Sequence, residues 1–157
     1  MSIVYIGIGS NLGNREEHCV KAIRLLPGKG IFVTRRSTMR ETEPWGVQDQ
    51  PRFINMAIEG ETELSPLRLL EVLKITEDEV GRVETRRWGP RAIDLDILLY
   101  DDLVMNTPEL TIPHPLMHER EFVLGPLDEI APDKIHPVWK KTIRELLLDL
   151  RRQQTGS

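Results

Sequence analysis

Between Ile3 and Tyr100 the hydrophobic period switches back and forth in the order strand, helix, strand, strand, helix, strand. Few folds accept that order. Ile3 to Gly9 is a β-rich run, and Gly9-Ser10-Asn11-Leu12-Gly13-Asn14 is turn chemistry. Asn14 is placed to cap a helix whose first turn holds Glu16 and Glu17, acids that suit the positive end of the helix dipole. Val20, Ala22, Ile23 and Leu26 form its apolar face, and Pro27-Gly28 stops it. Ile31 to Met39 alternates as a second strand and Phe53 to Glu61 as a third, with a Pro- and Trp-bearing loop from Arg40 to Arg52 between them. Ser65-Pro66 opens a second helix with a stripe of Leu67, Leu70 and Leu73, running to Gly81. Asp94 to Tyr100 is the fourth strand.

Beyond it the pattern predicts a short strand pair around Leu103–Met105 and Leu110–Ile112 and a helix near Phe122–Ile130. A final amphipathic helix, Thr142–Arg152, turns Ile143, Leu146, Leu147 and Leu150 inward. The expected class is α+β: a ferredoxin-like βαββαβ core in one domain spanning residues 1–157. Helices cover one face of its antiparallel sheet and the C-terminal additions cover the other, giving α-β-α layers.

Net charge narrows the partners. At −4 the chain has no overall positive field to draw it to nucleic acid or an acidic membrane. Cys19 is the only cysteine, which excludes an internal disulfide and a CxxC motif and fits a reducing compartment. The N-terminus lacks a signal-peptide pattern, and no apolar run approaches the ~20 residues of a membrane span. The expectation is a soluble, cytoplasmic protein acting as a monomer.

The sharpest local feature is Arg87-Trp88-Gly89-Pro90-Arg91-Ala92-Ile93-Asp94-Leu95-Asp96-Ile97-Leu98. Residues two apart on a strand share a face, so Asp94 and Asp96 project together while Leu95 and Ile97 enter the core. Paired carboxylates repel unless a hard cation lies between them, and Mg²⁺ favours a few carboxylates with waters and substrate phosphates. Arg91 can offer phosphate oxygens a planar fork of donors. The competing reading is a solvated pair, or an ion-pair network with Arg82, Arg86, Arg87 and Arg91; the crowding of arginines favours phosphate. Gly7, Gly9 and Gly13 miss the dinucleotide fingerprint, and no P-loop occurs, so the opening glycines read as a tight turn. Phe53 and Asn55 share a strand face, a stacking surface beside an amide, although from the pattern alone core packing is the better reading of Phe53 and of Phe122.

The run Arg87–Leu98 resembles the signature of the hydroxymethyldihydropterin pyrophosphokinases. Gly7–Gly13, Glu43-Pro44, Gln48–Asn55, Gly81-Arg82 and Ile112–Pro115 agree with the same family in the same order. The resemblance implies that Asp94 and Asp96 hold two Mg²⁺ ions against the phosphates of ATP, and that Arg82 and Arg91 contact those phosphates. It implies His114 on the nucleotide side and Glu77 in the ATP region. It also implies that Asn55 binds the polar edge of the pterin, with Thr42 and Pro44 lining its pocket. Phe53 and Phe122 would sandwich the ring, and Trp88 would close over the site on the arginine loop. The chain departs from the family at Phe53, often tyrosine, and at Lys74, Glu84 and Pro115, which touches affinity rather than the metal and arginine pairs.

The implied reaction is attack by a pterin hydroxymethyl oxygen on the β-phosphorus of ATP, with AMP leaving and catalysis resting on positioning and charge stabilisation. No dedicated general base stands out; Asp96 or a metal-bound water could take the proton. Two rivals are weighed. An RNA-binding module of similar topology needs exposed aromatics and a basic face, both absent. A metal-dependent phosphatase or nuclease could use the same aspartates, and would hydrolyse ATP or an ester without a pterin.

Overall fold

A computed structural model describes residues 1–42, 52–81 and 92–154. Its strands are β1 (Ser2–Ser10), β2 (Ile31–Arg36), β3 (Arg40–Thr42), β4 (Phe53–Thr62) and β5 (Asp94–Tyr100), followed by a small hairpin of β6 (Met105–Asn106) and β7 (Thr111–Ile112). The helices are α1 (Arg15–Leu25), α2 (Pro66–Gly81), α3 (Glu121–Ile130) and α4 (Ile143–Gln154). The main sheet is antiparallel in the order β2-β4-β1-β5, and β3 pairs with the end of β4 that β2 leaves open. This is an antiparallel sheet flanked by helices, in an order compatible with the ferredoxin-like arrangement.

Strand alternation builds two cores. Val4, Ile6 and Ile8 of β1, Ile54, Met56 and Ile58 of β4, and Leu95 and Ile97 of β5 meet Cys19, Ala22 and Ile23 of α1 and Leu69, Val72 and Leu73 of α2. On the other face Tyr5, Ala57, Leu98 and Leu99 meet Leu124, Leu127, Ile143, Leu146, Leu147 and Leu150 of α3 and α4. Each fully buried aliphatic side chain contributes about 1.5–3 kcal/mol. A register shift between Tyr5 and Ile6 inserts Leu98 as an extra residue in β5. That bulge re-aims the strand, so Leu99 lies with Tyr5 instead of following Leu95 and Ile97.

Local chemistry explains the ends. Asn14 Oδ1 accepts the Glu17 N–H at 3.2 Å, the expected helix cap. Pro27 begins a short 3₁₀ turn that ends at Gly30, whose φ of 91° suits glycine.

Three details differ from the sequence expectation. The second strand stops at Arg36 rather than Met39, because Ser37 substitutes its hydroxyl for a ladder acceptor: Ala57 N–H donates to Ser37 Oγ and Ser37 N–H donates to Ala57 O, both at 2.9 Å. The chain then re-pairs as β3, inside the expected Arg40–Arg52 loop. On α2 the buried stripe is Leu69, Val72, Leu73, Thr76 and Val80, and Leu67 is 43% exposed. No helix among the described residues is long and apolar enough to cross a membrane.

Candidate active site

The helices on the second face cover only part of the sheet. At the uncovered end β1 offers Gly7 and Gly9, β4 offers Phe53 and Asn55, and β5 offers Asp94 and Asp96. The pairing places Asp94, Gly9 and Asn55 in one cross-strand row, and Asp96, Gly7 and Ala57 in the next. With strands roughly 4.8 Å apart, Asp94 and Asn55 stand about 10 Å from one another across a strip without side chains. The result is a cavity of about 520 Å³. Its opposite wall is Phe122 and Val123 of α3, with His114, Leu116, Glu119 and Arg120 from the preceding segment.

The glycines make that floor. A Cβ on Gly9 would lie 3.0 Å from Asn55 Oδ1 and 3.9 Å from Phe53 Cδ1, and one on Gly7 would meet Leu98 at 3.5 Å. The Asn55 amide is oriented from the other side: its Nδ2 donates to Thr42 Oγ1 at 2.7 Å. That bond points Oδ1 over Gly9 as an acceptor. Phe53 and Phe122, both half-buried, rise from opposite walls, and the Arg120 guanidinium carbon stands 5.6 Å from the Phe122 ring centroid.

His114 N–H donates to Leu98 O at 3.0 Å, which anchors this segment to β5. Its Nδ1 accepts the Leu116 N–H at 3.3 Å, so Nε2 is the donor of the neutral ring. Burial pushes the His114 pKa below its ordinary value; Asp96 pulls it up and Arg120 pushes it down. A smaller recess of about 240 Å³ shares Asp96 and His114 and runs along β5 under the hairpin, against Leu70, Ile97, Thr107 and Leu110. Asp96 and His114 thus stand where the two hollows meet.

Asp96 is exposed and Asp94 half-buried on one face of β5. No group of three or more His, Cys, Asp or Glu side chains suited to a metal occurs among the described residues. Two carboxylates over a side-chain-free floor fit Mg²⁺, which keeps waters and substrate oxygens in its remaining positions.

The structure therefore brings Thr42, Phe53, Asn55, Asp94, Asp96, His114 and Phe122 to one cavity. Glu77 lies elsewhere. Its Oε2 accepts the Leu95 N–H at 2.7 Å, joining α2 to the open edge of β5. Pro44, Arg82, Trp88 and Arg91, with the loop expected to close over the site, lie outside the described residues. Sequence reasoning did not single out Leu116, Glu119, Arg120 or Val123, whose one signal was proximity to His114 and Phe122. It placed Gly7 and Gly9 in the first strand, running into a turn, and gave them no part in the site; both belong to β1 and form the cavity floor.

The family model for 7,8-dihydro-6-hydroxymethylpterin-pyrophosphokinase (HPPK) matches residues 5–132, which span every wall of this cavity. The chain belongs to the HPPK family. Among relatives of this HPPK-family chain, the 2-amino-4-hydroxy-6-hydroxymethyldihydropteridine pyrophosphokinase of Aquifex aeolicus is 43% identical, over 92% of this chain and 90% of that protein. The enzyme of the same name from Bacillus subtilis is 48% identical, over 83% and 78%. A crystal structure of Plasmodium falciparum HPPK-DHPS matches with a TM-score of 0.78 at 16% identity, a likeness of fold alone. That match covers 99% of this HPPK-family chain and 46% of the solved chain, so the chain spans less than half of that longer protein.

Proposed function

We propose that this chain transfers the pyrophosphoryl group of ATP to the hydroxymethyl group of 6-hydroxymethyl-7,8-dihydropterin, giving the pterin diphosphate and AMP, a step of folate biosynthesis. Family membership over residues 5–132 carries this reading. The cavity supports it, with an aromatic pair and an oriented amide at one end and two carboxylates at the other.

The flat pterin ring lies between Phe53 and Phe122, where aromatic faces stack. The Asn55 amide, held by Thr42, meets the donors and acceptors of the ring edge, and the family resemblance adds Pro44 to the pterin-binding residues. The hydroxymethyl arm then extends over Gly9 and Gly7 toward Asp94 and Asp96, a reach of about two strand spacings. The triphosphate lies beside the aspartates, and the adenosine takes the smaller recess past His114. The oxygen–β-phosphorus bond forms as the bond from that phosphorus to the oxygen bridging the α-phosphorus breaks. Catalysis rests mainly on positioning the two reacting atoms and on stabilising the charge that moves between them.

Asp94 and Asp96 hold Mg²⁺, in two ions, which when bound polarises the phosphate oxygens and screens their charge. Arg82 and Arg91 neutralise the charge that shifts to the departing AMP, and Arg120 adds a cation on the α3 side. His114, neutral, donates from Nε2 to a phosphate oxygen. Glu77 serves the ATP region indirectly, through its hold on the β5 backbone. The family resemblance gives Trp88 the role of closing over the site. The hydroxymethyl proton passes to Asp96 or to water. The protein works as a single pyrophosphokinase domain over residues 1–157, monomeric and cytoplasmic, with small molecules as its partners and no nucleic acid or membrane.

AMP formation from ATP and magnesium, with and without hydroxymethyldihydropterin, tests this. AMP is expected only when the pterin is present. Phosphate or AMP released equally well without it would replace the transferase with a hydrolase.

A further inference from the structure

The Thr42 hydroxyl orients the Asn55 amide, yet Thr42 ends a three-residue edge strand with one sheet neighbour. So short a strand needs something besides its ladder to hold it still. Both faces of β3 are clamped. On one, Glu41 lies 3.6 Å from Arg15 of α1 and 3.5 Å from Arg52. On the other, Arg40 grips Glu129 near the end of α3, with Nη2 and Nε at 2.6 and 2.8 Å from Oε2.

Glu129 is the hub. It also accepts the Thr38 N–H at 3.0 Å and the Thr38 hydroxyl at 2.9 Å. Burial alone would raise its pKa; the Thr38 and Arg40 hydrogen bonds outweigh that and hold it below the ordinary carboxylate value. One residue on, Ile130 O accepts from Arg35 Nη1 at 2.9 Å. The tail of α3 is therefore tied to the β2–β3 edge, while its first turn carries Phe122. Gly125, between these ends, is where the guanidinium rests: a Cβ there would fall 2.6 Å from Arg40 Nη1.

We propose that Arg40 and Glu129 are positioning residues for the pterin: their ion pair sets the spacing between β3, which presents Thr42 and through it Asn55, and α3, which presents Phe122. This rests on the pterin reading of the cavity. Neither residue lines the cavity, so each acts through the wall it holds. A guanidinium that sets two donors, Nε and Nη2, on one carboxylate oxygen is directional enough for that task, and lysine, a point charge, is a poor substitute.

Steady-state AMP formation by the full chain tests it. Arg40→Gln and Glu129→Gln should each raise the KM for hydroxymethyldihydropterin roughly tenfold and leave kcat and the KM for ATP within about twofold, the signature of a displaced wall rather than a lost reactive group. The double variant should be no worse than either single one, because both remove the same contact. Arg40→Lys should fall between wild type and Arg40→Gln. Arg144→Gln breaks a neighbouring ion pair that ties α3 to α4 through Asp128, and should leave the pterin KM unchanged. The proposal is overturned by an unchanged pterin KM in folded Arg40→Gln and Glu129→Gln, by equal rises for both substrates, or by the same rise in Arg144→Gln. If Phe122→Ala raises the pterin KM and the clamp variants do not, the clamp alone falls. If the wild-type chain does not use the pterin, the reading beneath it falls too.

Discussion

The two faces of the sheet come from the same strands, yet one is closed and the other works. Toward α1 and α2 the alternation delivers Ile6, Ile8, Met56, Ile58, Leu95 and Ile97, all at most 4% exposed. Toward α3 and α4 the same strands deliver Tyr5, Ala57 and Leu99 at one end, and Gly7, Gly9, Asn55, Asp94 and Asp96 at the other. The apolar end is roofed by helices. The glycine and polar end is left open. A helix there would strip water from two carboxylates and an amide edge at a cost of several kcal/mol, whereas a polar ligand offers its own donors and acceptors in exchange. Layer closure and site formation are thus one decision, made by side chains along β1, β4 and β5.

The largest effect that sharpens this contrast is loss of a carboxylate. Asp94→Ala and Asp96→Ala should each lower turnover by at least ~100-fold, the scale of removing a major electrostatic contribution. Both should stay folded, because the open end adds little to the core. Purified, folded variants that release AMP at near wild-type rates would remove the aspartates from the mechanism. Marked unfolding would instead make them part of the core.

Much of this contrast was legible in the sequence, and the gaps have physical causes. Alternation placed Asp94 and Asp96 together, opposite Leu95 and Ile97, because period two is unambiguous in a long strand. It could not show the Leu98 bulge, since an inserted apolar residue within an apolar run leaves no mark. β3 stayed hidden because three residues carry no period. The α2 stripe slipped to a neighbouring face: Leu67, Leu70 and Leu73 fit a helical spacing, but Leu69, Val72, Thr76 and Val80 fit as well, and only packing against the sheet decides. Phe53 and Asn55 gave a stacking surface and an amide, while the Arg40–Glu129 contact joins residues far apart in the chain and could not be read. The family resemblance named Glu77, whose carboxylate binds a backbone N–H on β5 outside the cavity.

The two helical layers also differ in how they are fastened, and acid should separate them. The segment joining α3 to α4 turns about His136, 3% exposed, whose Nδ1 accepts the N–H groups of Val138 and Trp139 at 3.2 Å each. Burial, aided by the neighbouring His118, lowers the His136 pKa from 6.5 to about 4. The unfolded chain therefore binds this proton before the folded one does. The stabilisation is full above about pH 6.5 and is lost as pH falls toward 4, amounting to about 2 kcal/mol between pH 7.5 and 5. Urea unfolding at those two pH values measures it. His136→Asn keeps an acceptor near Nδ1 but cannot titrate, so its pH dependence should be shallower by that amount. Equal slopes in the two proteins would mean that the pocket-side layer has no acid weakness at His136.

The smallest expected effect concerns a single methyl group on the floor. A Cβ at Gly9 would sit 3.0 Å from Asn55 Oδ1, closer than ordinary packing allows, and Asn55 cannot swing aside freely because Thr42 holds its Nδ2. Gly7 differs: its Cβ would meet Leu98 at 3.5 Å, an ordinary contact. Neither glycine has a positive φ, so alanine adds bulk at these positions without backbone strain. Gly9→Ala should raise the pterin KM roughly five- to tenfold, the scale of one misplaced polar contact, with the KM for ATP little changed. Gly7→Ala should leave the pterin KM within about twofold, since nothing need move. Steady-state kinetics on the two variants separate the cases. A Gly9→Ala enzyme that binds pterin normally would show that the amide edge has slack, and that the bare strip along β1 reflects strand packing rather than room kept for a ligand.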